Sequence, residues 1–140
     1  MKNQLELIKK LVKETEVDVI KVKKYFIGFL NQYLKGLKVE NYIGEYPTFM
    51  EPVILDDYVK IGDDVLIGPH VFIGQNSEIG DYGELSNTII FENVKLGNNF
   101  KLDNCIVARD CKLNFNNLNI KNCILKGSAN SEMELLKIFF

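Results

Sequence analysis

The chain lacks tryptophan, carries one histidine in 140 residues, and has three cysteines that never fall in Cys-x-x-Cys spacing. Each scarcity closes a route. A zinc site of several histidines cannot be assembled from His70 alone. An odd set of cysteines without paired spacing (Cys105, Cys111, Cys123) fits reduced, packed thiols rather than a disulfide frame, and no metal is expected. No run approaches the roughly 18 apolar residues of a membrane span, and the opening MKNQLELIKKLVKE has no apolar core of the length a secretory signal needs. A cytoplasmic setting without membrane contact is the expectation. A basic excess is missing too: 17 Lys plus Arg face 19 Asp plus Glu, and no lysine or arginine cluster is interleaved with a stacking surface. No nucleic-acid partner is expected on that balance.

What remains is an ordinary globular composition, 46% apolar and 26% charged, sufficient for one domain. Its order is not ordinary. Residues 59–82 read VKIGDD VLIGPH VFIGQN SEIGDY, four consecutive hexapeptides with an aliphatic third residue followed by glycine. Neither an amphipathic helix nor a hairpin generates a period of six, whereas three hexapeptides per triangular coil of a β-helix do.

Such a coil should repeat its columns about every 18 residues. One column reads Ile43, Ile61, Ile79, Leu96, Leu113; another Phe49, Ile67, Leu85, Leu102, Ile120; the third Leu55, Ile73, Phe91, Ala108, Lys126. Only Lys126 is not apolar, so chance is a poor explanation. The spacing slips to 17 in the second half, and one extra residue sits near Phe115 to Leu118. There a second repeat emerges in LSNTII (85–90), LDNCIV (102–107) and IKNCIL (120–125), which should stack Asn87, Asn104 and Asn122 into an amide ladder and Thr88, Cys105 and Cys123 into a column of small side chains. The glycines of the repeat (Gly44, Gly62, Gly68, Gly74, Gly80, Gly97) suit corners of tight turning or positive φ. None belongs to a phosphate-loop or dinucleotide motif.

Both ends change period. Leu5, Ile8, Leu11 and Val12 share one helical face, and a longer stripe runs through Val22, Phe26, Phe29 or Leu30, Tyr33 and Leu37, with Asp18 as N-cap and Gly36 as stop. This aromatic helix needs a surface: the open first coil of the β-helix, or a docking partner. Lys126 and Gly127 end the repeat, and SEMELLKIFF (131–140) reads as a short capping helix. The organisation expected is therefore a helical cap over 1–42, about five coils over 43–127, and a C-terminal capping helix over 128–140.

Isoleucine-glycine hexapeptides in this number resemble the left-handed parallel β-helix superfamily of acyltransferases and sugar-nucleotide enzymes, over roughly 85 residues of the chain. The stretch ELSNTIIFENVKL (84–96) is similar to the C-terminal β-helical domain of sugar-1-phosphate nucleotidylyltransferases, including the bifunctional glucosamine-1-phosphate N-acetyltransferases. In the bifunctional enzymes this motif leads into a Pro-His-Leu segment whose histidine deprotonates the acceptor amine. Gly97-Asn98-Asn99 stands there instead. The γ-class carbonic anhydrases, another use of the fold, need three histidines and are excluded.

The resemblance implies acetyl transfer from acetyl-CoA to a sugar or sugar-phosphate acceptor, in a homotrimer with the thioester between neighbouring β-helices. His70, in Ile-Gly-Pro-His, is then the candidate general base, and Asn98 and Asn99 are candidates for orienting the acceptor. The alternative implied is a non-catalytic oligomerisation or regulatory module, binding a sugar-phosphate or sugar-nucleotide ligand or engaging a protein partner through its flat faces or its N-terminal helices.

Overall fold

The computed structural model describes residues 1–140. Two helices open the chain, α1 (Lys2–Lys13) and α2 (Val19–Gly28), the latter tightening into a π turn at Phe29–Tyr33. Asp18 caps α2 by accepting from the Lys21 backbone N–H at 3.1 Å, and Gly36, at φ +80°, lies three residues beyond the turn, as its place in the pattern predicts. Strands follow in order: β1 (Leu37–Lys38), β2 (Thr48–Phe49), β3 (Val53–Leu55), β4 (Lys60–Ile61), β5 (Leu66–Ile67), β6 (Val71–Ile73), β7 (Glu78–Ile79), β8 (Glu84–Ser86), β9 (Thr88–Ile90), β10 (Phe100–Val107), β11 (Leu118–Lys126) and β12 (Leu136–Phe139).

These short strands stack in parallel into a β-solenoid of about five turns. The first face pairs β2 with β5, β5 with β8, and β8 with the start of β10, which leads on to β11. The second runs β1, β3, β6, β9 and the ends of β10 and β11. The third holds β4 and β7 and continues as single bridges at Lys95, Lys112 and Ala129. No helix is long and apolar enough to cross a membrane.

Two inner columns follow the hexapeptide pattern, except that Ile43 at the open end bridges Lys60 and is exposed. The third does not: Leu55 pairs with Ile73, Ile73 with Ile90, and Val107 with Leu125, so the inward residues are Ile90, Val107 and Leu125 rather than Phe91, Ala108 and Lys126. All five are buried. The cause is a shortened corner. Three residues, Gly68-Pro69-His70, join Ile67 to Val71, but only Ser86-Asn87 joins Leu85 to Thr88, so the spacing drops from 18 to 17 before the second face rather than after it. The extra residue returns between Leu113 and Leu118, as expected.

The helices are not an end cap. Their buried residues, Leu5, Ile8, Val12, Val22, Phe26, Phe29, Leu30 and Leu34, pack with Phe72, Ile89, Phe91, Ile106 and Ile124, with Ile54 at the margin. Apart from Phe91 at a corner, these solenoid residues are the middle members of buried triplets on the second face, apolar throughout but for Thr88, such as Val71-Phe72-Ile73 and Cys105-Ile106-Val107, and with their neighbours pointing inward they point outward. An outward apolar column would otherwise meet water, and covering it is what the amphipathic helices do. Phe29 meets Phe72 edge-on at 6.3 Å between ring centroids. The first coil consequently keeps apolar surface exposed at Leu37, Ile43, Tyr46 and Met50.

The expected C-terminal helix is also replaced. One turn of 3₁₀ helix at Glu132–Glu134 leads into β12, which pairs antiparallel with β11 from Cys123↔Phe139 to Lys126↔Leu136. The unpaired edge of β11 outweighs local helical periodicity here. Phe140 then stacks on Phe26 at 5.6 Å, joining the two ends of the chain over the second face.

The three thiols are buried. Cys105 and Cys123 pair in register with sulfurs 3.7 Å apart, and Thr88 Oγ1 and Cys105 Sγ each donate to the carbonyl two residues back, Ser86 and Asp103. The contact with Cys123, then burial, pushes the Cys105 thiol up; burial does the same to Cys111. Folded, Cys105 and Cys111 hold protons that the unfolded chain releases, while the same sulfur contact draws Cys123 down; the stabilisation from the two raised thiols is complete below about pH 8.5 and declines as pH rises beyond it. Dithionitrobenzoate should therefore label essentially none of the three native thiols at pH 7.5 and all three after denaturation, while the unfolding free energy falls above about pH 9. Labelling of Cys105 and Cys123 in the native protein would contradict the packing. Ile89→Ala, beneath the helices, should cost about 2–5 kcal/mol in urea unfolding, whereas exposed Ile20→Ala should change stability by less than about 0.5 kcal/mol.

Candidate functional site

A solenoid has to turn three times per coil, and nearly every corner here uses a residue in the left-handed region. Thirteen non-glycine residues have positive φ, and they fall into three columns. His70, Asn87, Asn104 and Asn122 share the corner between the first and second faces; Tyr58, Asn76, Asn93 and Asp110 the next; Tyr46, Asp64, Tyr82, Asn99 and Asn117 the third. Asn, Asp and His tolerate this region best among residues with a Cβ.

That arrangement corrects the role given to the glycines. Of those in the repeat only Gly68 has positive φ; the conformational demand falls on the residue two positions after each of the others. Gly97 is required by stacking, since a Cβ there would run into the Phe115 carbonyl of the next coil.

His70 therefore stands where later coils place asparagine. Its ring is half-buried, and Nδ1 lies 3.2 Å from the Leu30 carbonyl in the π turn. A carbonyl only accepts, so Nδ1–H is the donor in this contact. The contact ties the helical segment to the corner. Asn98 and Asn99 lie on another corner, between the third and first faces, and both are exposed. Asn98 Oδ1 accepts from the Asp81 backbone N–H at 2.9 Å, its own N–H donates to Asn116 Oδ1 at 2.9 Å, and Asn99 Nδ2 donates to Asn117 Oδ1 at 2.9 Å. The structure does not bring His70 together with this pair.

The expected amide ladder is half present. Asn104 Nδ2 donates to Asn122 Oδ1 at 2.8 Å, but Asn87 Nδ2 reaches Asp103 Oδ1 at 3.0 Å instead of Asn104. A fuller ladder, missed in the sequence, runs through Asp63, Asp81, Asn98 and Asn116, each backbone N–H donating to the side-chain oxygen one coil on. Its signal was there to find: a residue with a side-chain oxygen follows each glycine at 80 and 97.

Beside this ladder the third face carries a shallow groove of about 600 Å³, floored by Gly44, Gly62, Gly80 and Gly97 and rimmed by Lys60, Glu78 and Lys95 on one side and Asp81, Asn98 and Asn116 on the other. His70 is not among its lining residues.

Residues 49–136 match the family described as the GMPPB C-terminal domain. The chain belongs to that family. The GMPPB C-terminal domain is of the sugar-nucleotidylyltransferase C-terminal type, which links this protein to sugar-nucleotide metabolism and agrees with the likeness carried by residues 84–96. The matched region runs from β2 to the start of β12 and leaves out α1 and α2. No curated protein matches the chain.

Replacing Gly97 by alanine should destabilise the fold by about 1–3 kcal/mol or more through overpacking, with the thermal midpoint as readout. Gly28→Ala, in a helix with open space around it, should be neutral or stabilising by up to about 1 kcal/mol. Equal effects at the two positions would contradict the stacking argument.

Proposed function

We propose that the protein is a non-catalytic module of sugar-nucleotide metabolism, organising or regulating an enzyme of the nucleotidylyltransferase kind as a homotrimer. The observation that carries this reading is the position of His70. It fills the left-handed corner position that asparagine fills in the next three coils, bonds to Leu30, and stands apart from the groove that holds Asn98. The aromatic stripe of α2 is spent on the solenoid's own second face, so a partner meets the outer surface of the helices, where Ile20, Ile27 and Tyr33 are exposed, or the uncovered first coil.

A second reading has one specific observation behind it. The Leu30 carbonyl holds the Nδ1–H tautomer, which leaves Nε2 as the nitrogen able to take a proton from an amine or hydroxyl attacking the thioester carbon of acetyl-CoA, with the CoA thiolate departing. The third-face groove is the candidate surface for the thioester's long chain.

Calorimetry separates the two. On the first reading, acetyl-CoA at millimolar concentration gives no binding heat, and His70→Ala lowers stability by about 1 kcal/mol, the loss of one hydrogen bond. Binding of acetyl-CoA, with acetylation of a sugar phosphate abolished in a folded His70→Ala variant, would overturn it. Light scattering should return three times the 16.1 kDa of one chain.

A further inference from the structure

Although the chain carries a net charge of -2, its cations are not evenly spread. Where α1 crosses the corner between the second and third faces, two adjoining hollows of about 260 and 420 Å³ share Lys9, Lys13 and Arg109 as walls. Lys10 closes one hollow and Lys126 the other. These five cations come from three separate elements: the helix, the corner after β10, and the end of β11.

The acids nearby do not balance them. Glu92 holds Lys9 at 3.0 Å and Arg109 Nε at 3.2 Å; Glu6 also pairs with Lys9, and Asp110 also meets Arg109 Nε. Both of Arg109's closest approaches use Nε, so the two terminal nitrogens of its fork are not spent on them. Lys126 Nζ donates to the Glu14 carbonyl at 2.8 Å, and Lys10 and Lys13 take part in none of the chain's ion pairs. The three carboxylates engage only Lys9 and Arg109, so Lys10, Lys13 and Lys126 meet no carboxylate at ion-pair distance and leave a positive surplus in one cleft. Lysines in the last turn of α1 also offset the helix dipole. That effect does not require Arg109 and Lys126 to converge on the same space, and like charges gathered there repel until an anion enters.

We propose that this cleft is a binding site for a phosphate ester of a small organic molecule, a sugar phosphate or a nucleotide. The surplus matches the near-dianion of a phosphate monoester at neutral pH. The terminal nitrogens of Arg109 suit two phosphate oxygens at once, and Lys10 and Lys13 supply point charges. Val12, Phe91 and Ala108 line the smaller hollow and offer apolar surface to the carbon skeleton. The site is separate from His70 and from the third-face groove, so it stands whether or not the protein is catalytic. Because α1 lies outside the region matched by the family while Arg109 and Lys126 lie within it, only a chain with this helix docked on this corner forms the cleft.

The test is calorimetric titration of the full chain, at about 0.15 M salt, with inorganic pyrophosphate, glucose-1-phosphate, uridine diphosphate and, as control, sulfate. Tighter binding of glucose-1-phosphate or uridine diphosphate than of sulfate is expected, and whichever of the two binds better assigns the sugar-phosphate or nucleotide source; pyrophosphate binding better than both would overturn the proposal. The Lys10→Ala/Lys13→Ala double variant changes two exposed side chains outside every ion pair, and it should weaken binding roughly tenfold or more while the thermal midpoint falls by no more than about 5 °C, the share of the helix dipole. Lys23→Ala, exposed on α2 and outside both hollows, should bind as the parent does. Affinity equal to that for sulfate, binding unaffected by the double variant, or capture by phosphatidylserine vesicles in place of soluble phosphates would each overturn the proposal.

Discussion

Everything in this molecule depends on coils stacking in register about 4.8 Å apart, with backbone hydrogen bonds running from one coil to the next. That spacing has two consequences at the glycine-bearing corners. A side chain cannot be accommodated where one coil's backbone lies against the next, which is why Gly44, Gly62, Gly74, Gly80 and Gly97 recur. The chain must also reverse through a left-handed residue two positions later. For a residue with a Cβ that conformation costs roughly 1–2 kcal/mol. Asparagine and aspartate reduce the cost by local hydrogen bonding, and several recover more by bonding across coils, as Asn93 does to Asp110 at 3.1 Å. Nothing in the structure explains why tyrosine serves at 46, 58 and 82.

The inner columns were legible because burial forces an apolar residue at every sixth position, and periodicity survives single exceptions. Register within the third column was not. A one-residue shortening at Ser86-Asn87 leaves an apolar residue on either side of the true inward position, so Ile90 and Phe91 were equally admissible on hydrophobicity. The same ambiguity concealed the outward column. Triplets such as Val71-Phe72-Ile73 depart from strict alternation, and a strand apolar on both sides asks for cover on both. With that signal weighed, the helices belong on a side face. The C-terminal segment failed differently: Leu135, Leu136, Ile138 and Phe139 satisfy a helical period, but an open strand edge satisfies backbone groups that one more helix would leave unpaired.

Covering the second face changes what is left for association. The outward residues of the other two faces are largely charged or polar, with Lys60 against Glu78 and Lys101 against Glu84, both at 3.8 Å and exposed. Exposed pairs of that kind contribute little to affinity and more to orientation. Apolar side chains stay in solvent at the first coil, where Leu37, Ile43 and Met50 are exposed because the helices lie on the side face. The same displacement sets α1 against the Arg109 corner. The exposed first coil and the basic cleft are two results of one packing arrangement.

His70 shows why a lone catalytic residue type is weak grounds for chemistry in a repeat protein. Taken within its hexapeptide, Ile-Gly-Pro-His invites a general-base reading. Taken within its column, it is the fourth member of a set whose other members are Asn87, Asn104 and Asn122, and all four meet the same demand for positive φ. Histidine is among the few residues that meet it, and its reach lets the corner hold the Leu30 carbonyl as well. A base needs a substrate beside it, and the groove that could hold one opens at a different corner of the prism. In a solenoid the column, more than the motif along the chain, is the unit in which a residue's purpose is read.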